Sequence, residues 1–443
     1  MLHFGTDGVR GVAIDELTPA LARDLGRAVA RVLEPGAVVV GRDTRESGHA
    51  LESAVVEGCA AEGVPVHLMG VAPTPAVAFA AERRGWVGIV ITASHNPWTD
   101  NGIKVFAAGG AKLTDAEQVE IERVWHALGT GAAPASIGTV HPADEIVEEY
   151  FAHRVGVVGA RGLEGLRVVV DCANGAMSAV APAVLMAAGA DVIPMNDAPD
   201  GRNINHDCGA THTGALVARV AAERADLGVA FDGDGDRMMA VSSSGRVVDG
   251  DGVILVAAAD LAERGLLRNR GVAVTVMSNL GLHRALGELG VEVVVTPVGD
   301  RSVLVALEEH DFVLGGEQSG HVVHRAHATT GDGLLAALLL GEHLVRTQTS
   351  LDAAVAGLAH VPQVLVNVRC DEQVNDPAGE LADVIASVES ALGDGRVLVR
   401  ASGTEPLVRV MVEADDDALA RSSALVIADA LIARHGGAVD ASH

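Results

Sequence analysis

The stretch RVVVDCANG, residues 167–175, contains the pattern that decides the fold of this protein: a β-branched apolar run that ends in a polar turn. An alanine-rich helical pattern and a second short apolar run follow it. Apolar runs of this length are typical of buried strands, and a right-handed crossover through a helix joins such strands in parallel. The strand–turn–helix–strand pattern occurs three times, at residues 37–68, 167–193 and 272–295.

These repeats predict three related α/β domains in tandem, although the general βαβ rhythm of any large α/β protein would look similar. A chain of 443 residues is also too long for one hydrophobic core. From about residue 366 the pattern changes to that of a small α+β domain. We therefore expect four domains that share one site in a central cleft, with boundaries at 1–155, 156–255, 256–365 and 366–443.

Composition and charge exclude several classes of function. Only 2% of the residues are aromatic and the formal net charge is −27, so the chain lacks the stacking platforms and the positive surface of nucleic-acid-binding proteins. No apolar stretch approaches the ~20 residues that span a bilayer, and no secretory signal is evident. The four cysteines form no CxxC pair, which indicates buried, reduced thiols. We expect a soluble, cytoplasmic protein without a nucleic-acid or membrane partner.

The segment TASHNP, residues 92–97, follows an apolar run and so lies at the carboxyl end of a predicted strand, where open α/β sheets bind ligands. Asn96 and Pro97 enforce a turn, which we expect to push Ser94 outward. In that position Ser94 suits a nucleophile or a phosphoryl carrier, with His95 beside it. Taken alone, a capped turn explains this motif better than catalysis does.

A second polar loop, FDGDGDR, ends another apolar run. Its carboxylates Asp232, Asp234 and Asp236 can converge on one point because glycines between them let the backbone curl. Two unit charges ~4 Å apart repel by about 4 kcal/mol near a protein surface, so converging carboxylates require a cation. An all-oxygen ligand set favours Mg²⁺ over zinc. An EF-hand calcium loop is excluded, because Arg237 and Ser243 stand where it requires Gly and Glu.

Two further loops suit the binding of a phosphorylated sugar. RASGTEP, residues 400–406, has short hydroxyl side chains and an arginine, with Arg409 beyond it, which together form a phosphate cradle. An ordinary hairpin turn would have the same composition. GGEQSGH, residues 315–321, offers Glu, Gln and Ser side chains for hydrogen bonds to sugar hydroxyls, although a polar loop without a ligand would look similar.

The chain has only two lysines, Lys104 and Lys112, among 32 basic residues. Burial can lower the pKa of an amine until it shuttles protons, which a guanidinium cannot do. Lys104 lies shortly after Ser94, so it is our candidate proton shuttle, although chance would also explain its placement.

Taken together, these loops resemble those of the α-D-phosphohexomutases, and FGTDGVRG at residues 4–11 is similar to the opening segment of that family. One departure is Ala401, where the family usually has Pro. The resemblance implies three α/β domains with mixed sheets and a smaller C-terminal α+β domain around a central cleft. The phosphoserine, metal, sugar and phosphate loops, one in each domain, correspond here to residues 92–97, 232–237, 316–321 and 400–406.

The resemblance also implies a role for each site residue. Ser94 would carry the phosphoryl group, and one Mg²⁺ per chain would be held by Asp232, Asp234, Asp236 and an oxygen of the phosphoserine. The phosphate of the substrate would contact Arg400, Ser402, Gly403, Thr404 and Arg409. Glu317 and Ser319 would hold the sugar hydroxyls. A local positive funnel in this acidic protein would be formed by Arg10, His95, Lys104, Arg237 and His321.

Within the family, Gln318 and the run 407–411 look most like the branch that acts on glucosamine phosphate, with glucosamine 1,6-bisphosphate as the activating intermediate. The branch that acts on mannose and glucose phosphates often has Met in place of Gln318. Activity on those sugar phosphates remains an alternative. Two functions of different classes, a metal-dependent sugar phosphatase and a non-catalytic sugar-phosphate sensor, would also fit these loops. The expected partner is a small-molecule sugar phosphate, and a homodimer is left open.

Overall fold

The computed structural model describes residues 2–5, 8–128, 137–402 and 406–440. The chain folds into two compact units, which are Met1–Thr275 with Val291–Ala356 and Val276–Gly290 with Gly357–His443. None of the described helices is long and apolar enough to cross a membrane. All four cysteines are buried and free, as their spacing predicted.

The first sheet of the larger unit is mixed. It and its helices comprise β1 (Phe4–Gly5), β2 (Gly8–Val12), α1 (Pro19–Leu33), β3 (Val38–Arg42), α2 (Gly48–Ala61), β4 (Val66–Val71), α3 (Thr74–Arg84), β5 (Val87–Ile91), β6 (Asp100–Phe106), α4 (Asp115–Ala127), β7 (Val140–Pro142) and α5 (Glu145–Val158). Within the described residues the strand order is β1-β2-β6-β5-β3-β4-β7. The strands β5, β3, β4 and β7 are parallel, and β6 returns antiparallel to β5. The Ser94 loop therefore joins β5 to its antiparallel neighbour.

The second sheet places the metal loop. Its elements are β8 (Arg167–Asp171), α6 (Met177–Ala187), β9 (Asp191–Met195), α7 (Gly214–Glu223), β10 (Leu227–Phe231), β11 (Met238–Ser242) and β12 (Val247–Val248). The described strands lie in the order β12-β11-β10-β8-β9, with β8 parallel to both β9 and β10. Every residue of β10 is buried, which explains its continuous apolar sequence. The loops after β8 and β10 therefore meet at one edge of the sheet.

The third sheet carries the predicted sugar loop. In chain order the elements are α8 (Gly250–Glu263), a short 3₁₀ helix (Arg268–Arg270), β13 (Gly271–Thr275), α9 (Leu280–Glu288), β14 (Glu292–Thr296), α10 (Asp300–Glu309), β15 (Leu314–Gly316), β16 (Val322–His324), α11 (Gly333–Thr347) and α12 (Leu351–Ala354). The order of the described strands is β14-β13-β15-β16, and β13 is parallel to both of its neighbours. The loop between β15 and β16 contains Glu317, Gln318 and Ser319.

The smaller unit contains α9 and a fully antiparallel sheet. Its remaining elements are β17 (Gln363–Arg369), α13 (Pro377–Glu380), α14 (Ala382–Leu392), β18 (Arg396–Ala401), β19 (Leu407–Glu413), α15 (Asp417–His435) and β20 (Ala438–Val439). The order of the described strands is β18-β19-β17-β20. At the end of β19 the buried carboxylate of Glu413 accepts hydrogen bonds from Asn279 Nδ2 and from the Leu280 N–H group, so it holds the first turn of α9.

A buried ion pair joins α5 to α11 inside the larger unit. Arg154 Nε lies 2.7 Å from Asp332 Oδ2, and the hydroxyl of Tyr150 donates to the same carboxylate at 2.9 Å. Asp332 also caps α11 by accepting a hydrogen bond from the Leu335 N–H group. Both charged groups are almost completely buried, so removing either one would leave the other without its partner.

The predicted fold class is confirmed. Each of the three strand–turn–helix–strand units forms a parallel pair, namely β3 with β4, β8 with β9 and β13 with β14. Antiparallel strands on one side of each α/β sheet make these sheets mixed, as the family resemblance implied. The four domain boundaries remain a prediction.

Candidate active site

Ser94 lies just beyond β5 and is only 1% exposed. Its φ angle of 52° is in the left-handed region, which costs a serine about 1–2 kcal/mol. Its hydroxyl donates to Asp232 Oδ2 at 2.5 Å and lies 3.4 Å from His95 Nδ1. Our expectation that the Asn–Pro turn would push the serine outward was wrong. Ser94 is buried, because the buried side chains of Arg45 and Asn205 donate hydrogen bonds to its carbonyl oxygen and hold the loop inward.

The three aspartates of the metal loop converge, as predicted. One oxygen from each of Asp232, Asp234 and Asp236 lies within 4.8 Å of the others, and all three residues are buried. Asp232 accepts hydrogen bonds from Ser94 and from the Arg237 N–H group. Burial raises the pKa of Asp232 well above its ordinary value, and the charges of Asp236 and Asp234 raise it further. Burial and the neighbouring carboxylates therefore both disfavour the charged form of Asp232.

The chemistry of this cluster fits a divalent cation. Asp234 Oδ1 and Asp236 Oδ1 are buried and have no hydrogen-bond partner among the described residues. Buried polar atoms without a partner are costly, and a bound ion is one of the common ways in which proteins satisfy them. Carboxylate oxygens are the ligands of hard cations such as Mg²⁺. Within the part of the chain that the structure describes, no other three His, Cys, Asp or Glu side chains meet in this way.

Lys104, on β6, is part of the same buried cluster. Its Nζ atom lies 2.8 Å from Asp234 Oδ2 and 2.9 Å from Asp236 Oδ2. Burial raises the pKa of Asp236, but the positive charge of Lys104, aided by His321 and Arg237, outweighs burial and holds the pKa well below its ordinary value. The amine is therefore a charge partner of the aspartates as well as a candidate proton shuttle.

A glycine allows the serine loop and the metal loop to touch. A Cβ atom on Gly233 would lie only 2.6 Å from the carbonyl oxygen of Ser94, closer than non-bonded atoms approach. The alternation of aspartate and glycine in this loop thus has a second function besides letting the carboxylates converge. It brings the backbone of the second sheet into contact with the backbone that carries Ser94.

Five of the predicted site residues outside the aspartate triad line one cavity of about 460 Å³. This volume is within the ~300–1,000 Å³ range of small-molecule sites. The wall of the cavity also includes Asp236, so the cavity reaches the metal cluster. The structure thus brings together residues that lie far apart in the sequence, namely Arg10, His95, Arg237, Glu317 and His321.

The cavity is not the positive funnel that we expected. Its two arginines face three carboxylates, those of Asp236, Asp300 and Glu317. Burial lowers the pKa of His95 to about 4, and the charges of Arg237 and Arg10 lower it further. The imidazole of His95 is therefore uncharged near pH 7 and does not supply the positive charge predicted for it.

The sugar loop is internally hydrogen-bonded. Glu317 accepts hydrogen bonds from the Gly299 N–H group at 3.0 Å and from the Ser319 hydroxyl at 3.1 Å. His321 Nε2 accepts a hydrogen bond from the Gly331 N–H group at 3.1 Å, which directs Nδ1 toward Asp236 Oδ2 at 3.7 Å. Burial lowers the pKa of His321, but nearby carboxylates, led by that of Asp236, outweigh burial and raise it. The raised pKa favours the imidazolium, but an imidazolium has no lone pair on Nε2 to accept the Gly331 N–H group. While this bond is present the ring is neutral, with its proton on Nδ1.

In the smaller unit, Arg400 and Arg409 lie directly opposite each other on β18 and β19. Like charges at paired positions of a sheet repel each other. Burial lowers the pKa of Arg400, and the charge of Arg409 lowers it further. The N–H group of Ser402 donates to the Leu407 carbonyl at 2.7 Å and closes the start of the hairpin. The predicted ligands Gly403 and Thr404 lie outside the described residues.

Three residues that the sequence reasoning missed contact the site. Thr74, at the start of α3, donates from its hydroxyl to Asp234 Oδ2 at 2.5 Å. Arg45 and Asn205 both donate to the carbonyl oxygen of Ser94. Arg45 could have been predicted from the polar sequence Asp-Thr-Arg that follows β3, because the polar loops after β5 and β10 contain the predicted catalytic and metal-binding residues. The sequence contains no comparable signal for Thr74 or Asn205.

Comparison with known proteins identifies the family. Four family models match in chain order: phosphoglucomutase/phosphomannomutase α/β/α domain I at residues 1–130, domain II at 148–245, domain III at 249–361 and the C-terminal domain at 365–430. The phosphoglucosamine mutase of Frankia alni is 51% identical over 437 residues and covers 95% of this chain and 96% of its own. That of Mycolicibacterium vanbaalenii is 49% identical over 442 residues, with 97% and 99% coverage.

A solved structure agrees with these matches. The phosphoglucomutase/phosphomannomutase family protein of Burkholderia thailandensis superimposes with a TM-score of 0.82 at 27% identity, over 98% of both chains. The phosphoserine, metal, sugar and phosphate loops of the sequence predicted this result. The chain belongs to the phosphoglucomutase/phosphomannomutase family of α-D-phosphohexomutases.

Proposed function

We propose that this enzyme interconverts glucosamine 6-phosphate and glucosamine 1-phosphate, with Ser94 as the phosphoryl carrier. The observation that carries the proposal is the 2.5 Å contact between the Ser94 hydroxyl and a member of the aspartate cluster. A hydroxyl held against one of three converging carboxylates is placed for phosphoryl transfer assisted by a metal ion. The relatives named phosphoglucosamine mutase, at 51% and 49% identity, support glucosamine phosphate as the substrate.

The reaction balances as two transfers. In the first, the bond between phosphorus and Ser94 Oγ breaks and a bond to O1 of glucosamine 6-phosphate forms, while the O1 hydroxyl loses its proton and Ser94 Oγ gains one. The product is glucosamine 1,6-bisphosphate, which reorients in the site. In the second transfer, the bond between phosphorus and O6 breaks and a bond to Ser94 Oγ forms, while the Ser94 hydroxyl loses its proton and O6 gains one. The released product is glucosamine 1-phosphate, and the phosphoserine is restored.

Asp232, Asp234 and Asp236 would hold one Mg²⁺, together with an oxygen of the phosphoserine. When bound, this ion would neutralise the charge that develops on the transferring phosphoryl group. Lys104 remains our candidate proton shuttle. Its amine contacts Asp234 and Asp236, which belong to the same cluster as Asp232, the partner of the Ser94 hydroxyl. The amine is also buried away from bulk water.

We assign the phosphate of the substrate to the cradle in the smaller unit and its hydroxyls to Glu317 and Ser319. Arg400 and Arg409 form no ion pair with another described residue, and an anion would relieve their mutual repulsion, which supports the first assignment. The proposed cradle comprises Arg400, Ser402, Gly403, Thr404 and Arg409. The groups that would face the sugar phosphate from the cavity are Arg10, His95, Arg237 and His321.

The test is mass analysis of purified protein incubated with glucosamine 1,6-bisphosphate and Mg²⁺. We expect one added phosphoryl group on the peptide that contains Ser94, and we expect loss of mutase activity in S94A. A wild-type protein that never gains this group, combined with an active S94A variant, would refute the mechanism.

Substrate choice needs a separate assay that compares turnover of glucosamine, glucose and mannose phosphates. Glucosamine phosphate should have the highest kcat/KM. Steady release of inorganic phosphate without isomerisation would instead support a sugar phosphatase.

A further inference from the structure

We infer that Arg45 and Asn205 form a clamp on the carbonyl groups of the Ser94 loop and that this clamp positions the serine for phosphoryl transfer. The inference rests on the proposed role of Ser94. Neither clamp residue lines the cavity, and neither contacts the Ser94 hydroxyl. Both are therefore positioning residues, which act through the backbone of the loop.

Arg45 directs every nitrogen of its guanidinium group to a fixed acceptor. Nη2 donates to the carbonyl of Ser94 at 3.0 Å and to that of Asn96 at 2.8 Å. Nη1 donates to the carbonyls of Pro97 and Asp100. The side chain is buried, so no water competes for these bonds. A planar fork of five donors can bind four carbonyls at once, whereas an ammonium with three donors cannot.

The remaining nitrogen of Arg45 secures the guanidinium itself. Nε donates to Asp43 Oδ2 at 2.9 Å, and the hydroxyl of Thr92 donates to the same oxygen at 2.7 Å. Thr92 in turn accepts the N–H group of Ser94 at 2.9 Å. The peptide groups on both sides of the Ser94 Cα atom are thus tied to one buried network that begins at Asp43.

Asn205, in the segment between β9 and α7, completes the clamp. Its Nδ2 atom donates to the carbonyl of Ser94 at 2.8 Å and to that of Asn96 at 3.0 Å, the same two oxygens that Arg45 Nη2 binds. The N–H group of Asn205 is held by the Ala173 carbonyl beyond β8. The clamp therefore joins the loop that carries the serine to the sheet that carries the aspartates.

The serine needs such a clamp because its backbone is in an unfavourable conformation. With φ at 52°, Ser94 would relax if the flanking peptide groups were free to rotate. Relaxation would swing its Oγ atom away from Asp232. Phosphoryl transfer depends on in-line geometry, and a displacement of about 1 Å can cost ~10²-fold in rate. The clamp thus holds the strained backbone conformation in which Ser94 meets the aspartate cluster.

The experiment compares four variants with wild-type enzyme: R45K, the double variant D43N/R45M, N205A and R154M. The double variant avoids leaving the Asp43 carboxylate buried without its partner. We expect kcat to fall about 10²-fold in D43N/R45M and about 10-fold in R45K and N205A, with KM for glucosamine 6-phosphate within about 3-fold of wild type. R154M removes an equally buried arginine whose hydrogen bonds go to Asp332, His153 and His327 and not to the Ser94 loop, so its kcat should be unchanged at a temperature below its unfolding midpoint.

A second readout, hydrogen exchange of the peptide covering residues 92–101, does not depend on turnover. We expect its amides to exchange faster in R45K, D43N/R45M and N205A than in wild type and R154M. Wild-type kcat together with unchanged exchange in the clamp variants would overturn the inference. An equal loss of kcat in R154M would also overturn it. If wild-type protein itself neither turns over nor becomes phosphorylated, the proposed function fails, whereas the exchange data still decide whether the clamp holds the loop.

Discussion

The serine–aspartate centre of the larger unit and the arginine pair of the smaller unit are both charged, but they are built in opposite ways. At the centre, Ser94, Lys104 and the aspartates are buried, and most of their polar atoms have fixed protein partners. Arg400 and Arg409 are half-buried, lie directly opposite each other and form no ion pair among the described residues. Most charges of the buried centre thus have protein partners, whereas the arginine pair has no counterion within the described part of the chain.

This difference matches the two tasks of the proposed reaction. Groups that take part in bond making must stay in place, since preorganised dipoles and charges act without reorganisation at the moment of transfer. A group that binds and releases the phosphate of the substrate must leave its cations uncommitted, because a protein carboxylate there would compete with the ligand. Buried polar groups with fixed partners therefore indicate a catalytic site. Two cations that face each other without a carboxylate partner indicate an anion-binding site.

The most severe way to break the buried centre is to neutralise one of its aspartates. We expect D234N to lower kcat by about 10³-fold, because it removes charge at the point where the transferring group is stabilised. The measurement is kcat across a Mg²⁺ titration, with Mn²⁺ binding followed by electron paramagnetic resonance. D311N, at an exposed aspartate, should behave as wild type. Full activity of D234N at high Mg²⁺ would contradict the assignment.

A steric change should separate the two loops without altering any charge. We expect G233A to lower kcat by about 10²-fold, because its Cβ atom would meet the Ser94 carbonyl at 2.6 Å and displace the serine. The matched control is G214A, where the added Cβ atom has open space around it. Steady-state kinetics and thermal midpoints of both variants test this. Wild-type kcat in G233A would show that contact between the loops is not required.

In the arginine pair we expect a binding effect instead. R400L and R409L should each raise KM for the sugar phosphate by about 10–100-fold, as expected for the loss of charge-assisted hydrogen bonds to the substrate. Their thermal midpoints should not fall, because each substitution removes a like-charge repulsion.

Inorganic phosphate provides a direct test of this anion site. It should raise the midpoint of wild type and of R421Q, a control at an exposed arginine, more than those of R400L and R409L. Equal stabilisation of all four proteins would place the anion elsewhere.

The smallest effect on activity is expected from a change at Thr74, which is a hydrogen-bond partner of the metal cluster. T74V removes the hydroxyl that donates to Asp234 Oδ2 but keeps the shape of the side chain and the backbone bond from residue 74 to Asp234. We expect the apparent Mg²⁺ affinity to fall about 10-fold, with kcat at saturating Mg²⁺ nearly unchanged. T211V, at an exposed threonine, is the control. An unchanged Mg²⁺ requirement in T74V would show that this hydroxyl does not orient the carboxylate.

Sequence patterns predicted the strands and the loops of this site well, because both depend on local order along the chain. The run 227–231 coincides with β10, and the polar loop after it carries the converging aspartates. Contacts between loops were not predictable in this way. The hydroxyl of Thr74 meets Asp234 across 160 positions, and the side chain of Asn205 meets Ser94 across 111. No periodicity links such residues, so they emerge only when sheets pack together.

By itself the sequence determined the α/β class, the family and the identity of the chemical groups at each strand end. Apolar periodicity and short glycine-rich loops are enough for this, since each acts within a few residues. Only the tertiary structure decided that Ser94 faces inward, that His95 is uncharged and that Lys104 bridges two aspartates. Burial and neighbouring charges set these properties, and both arise from residues brought together by folding.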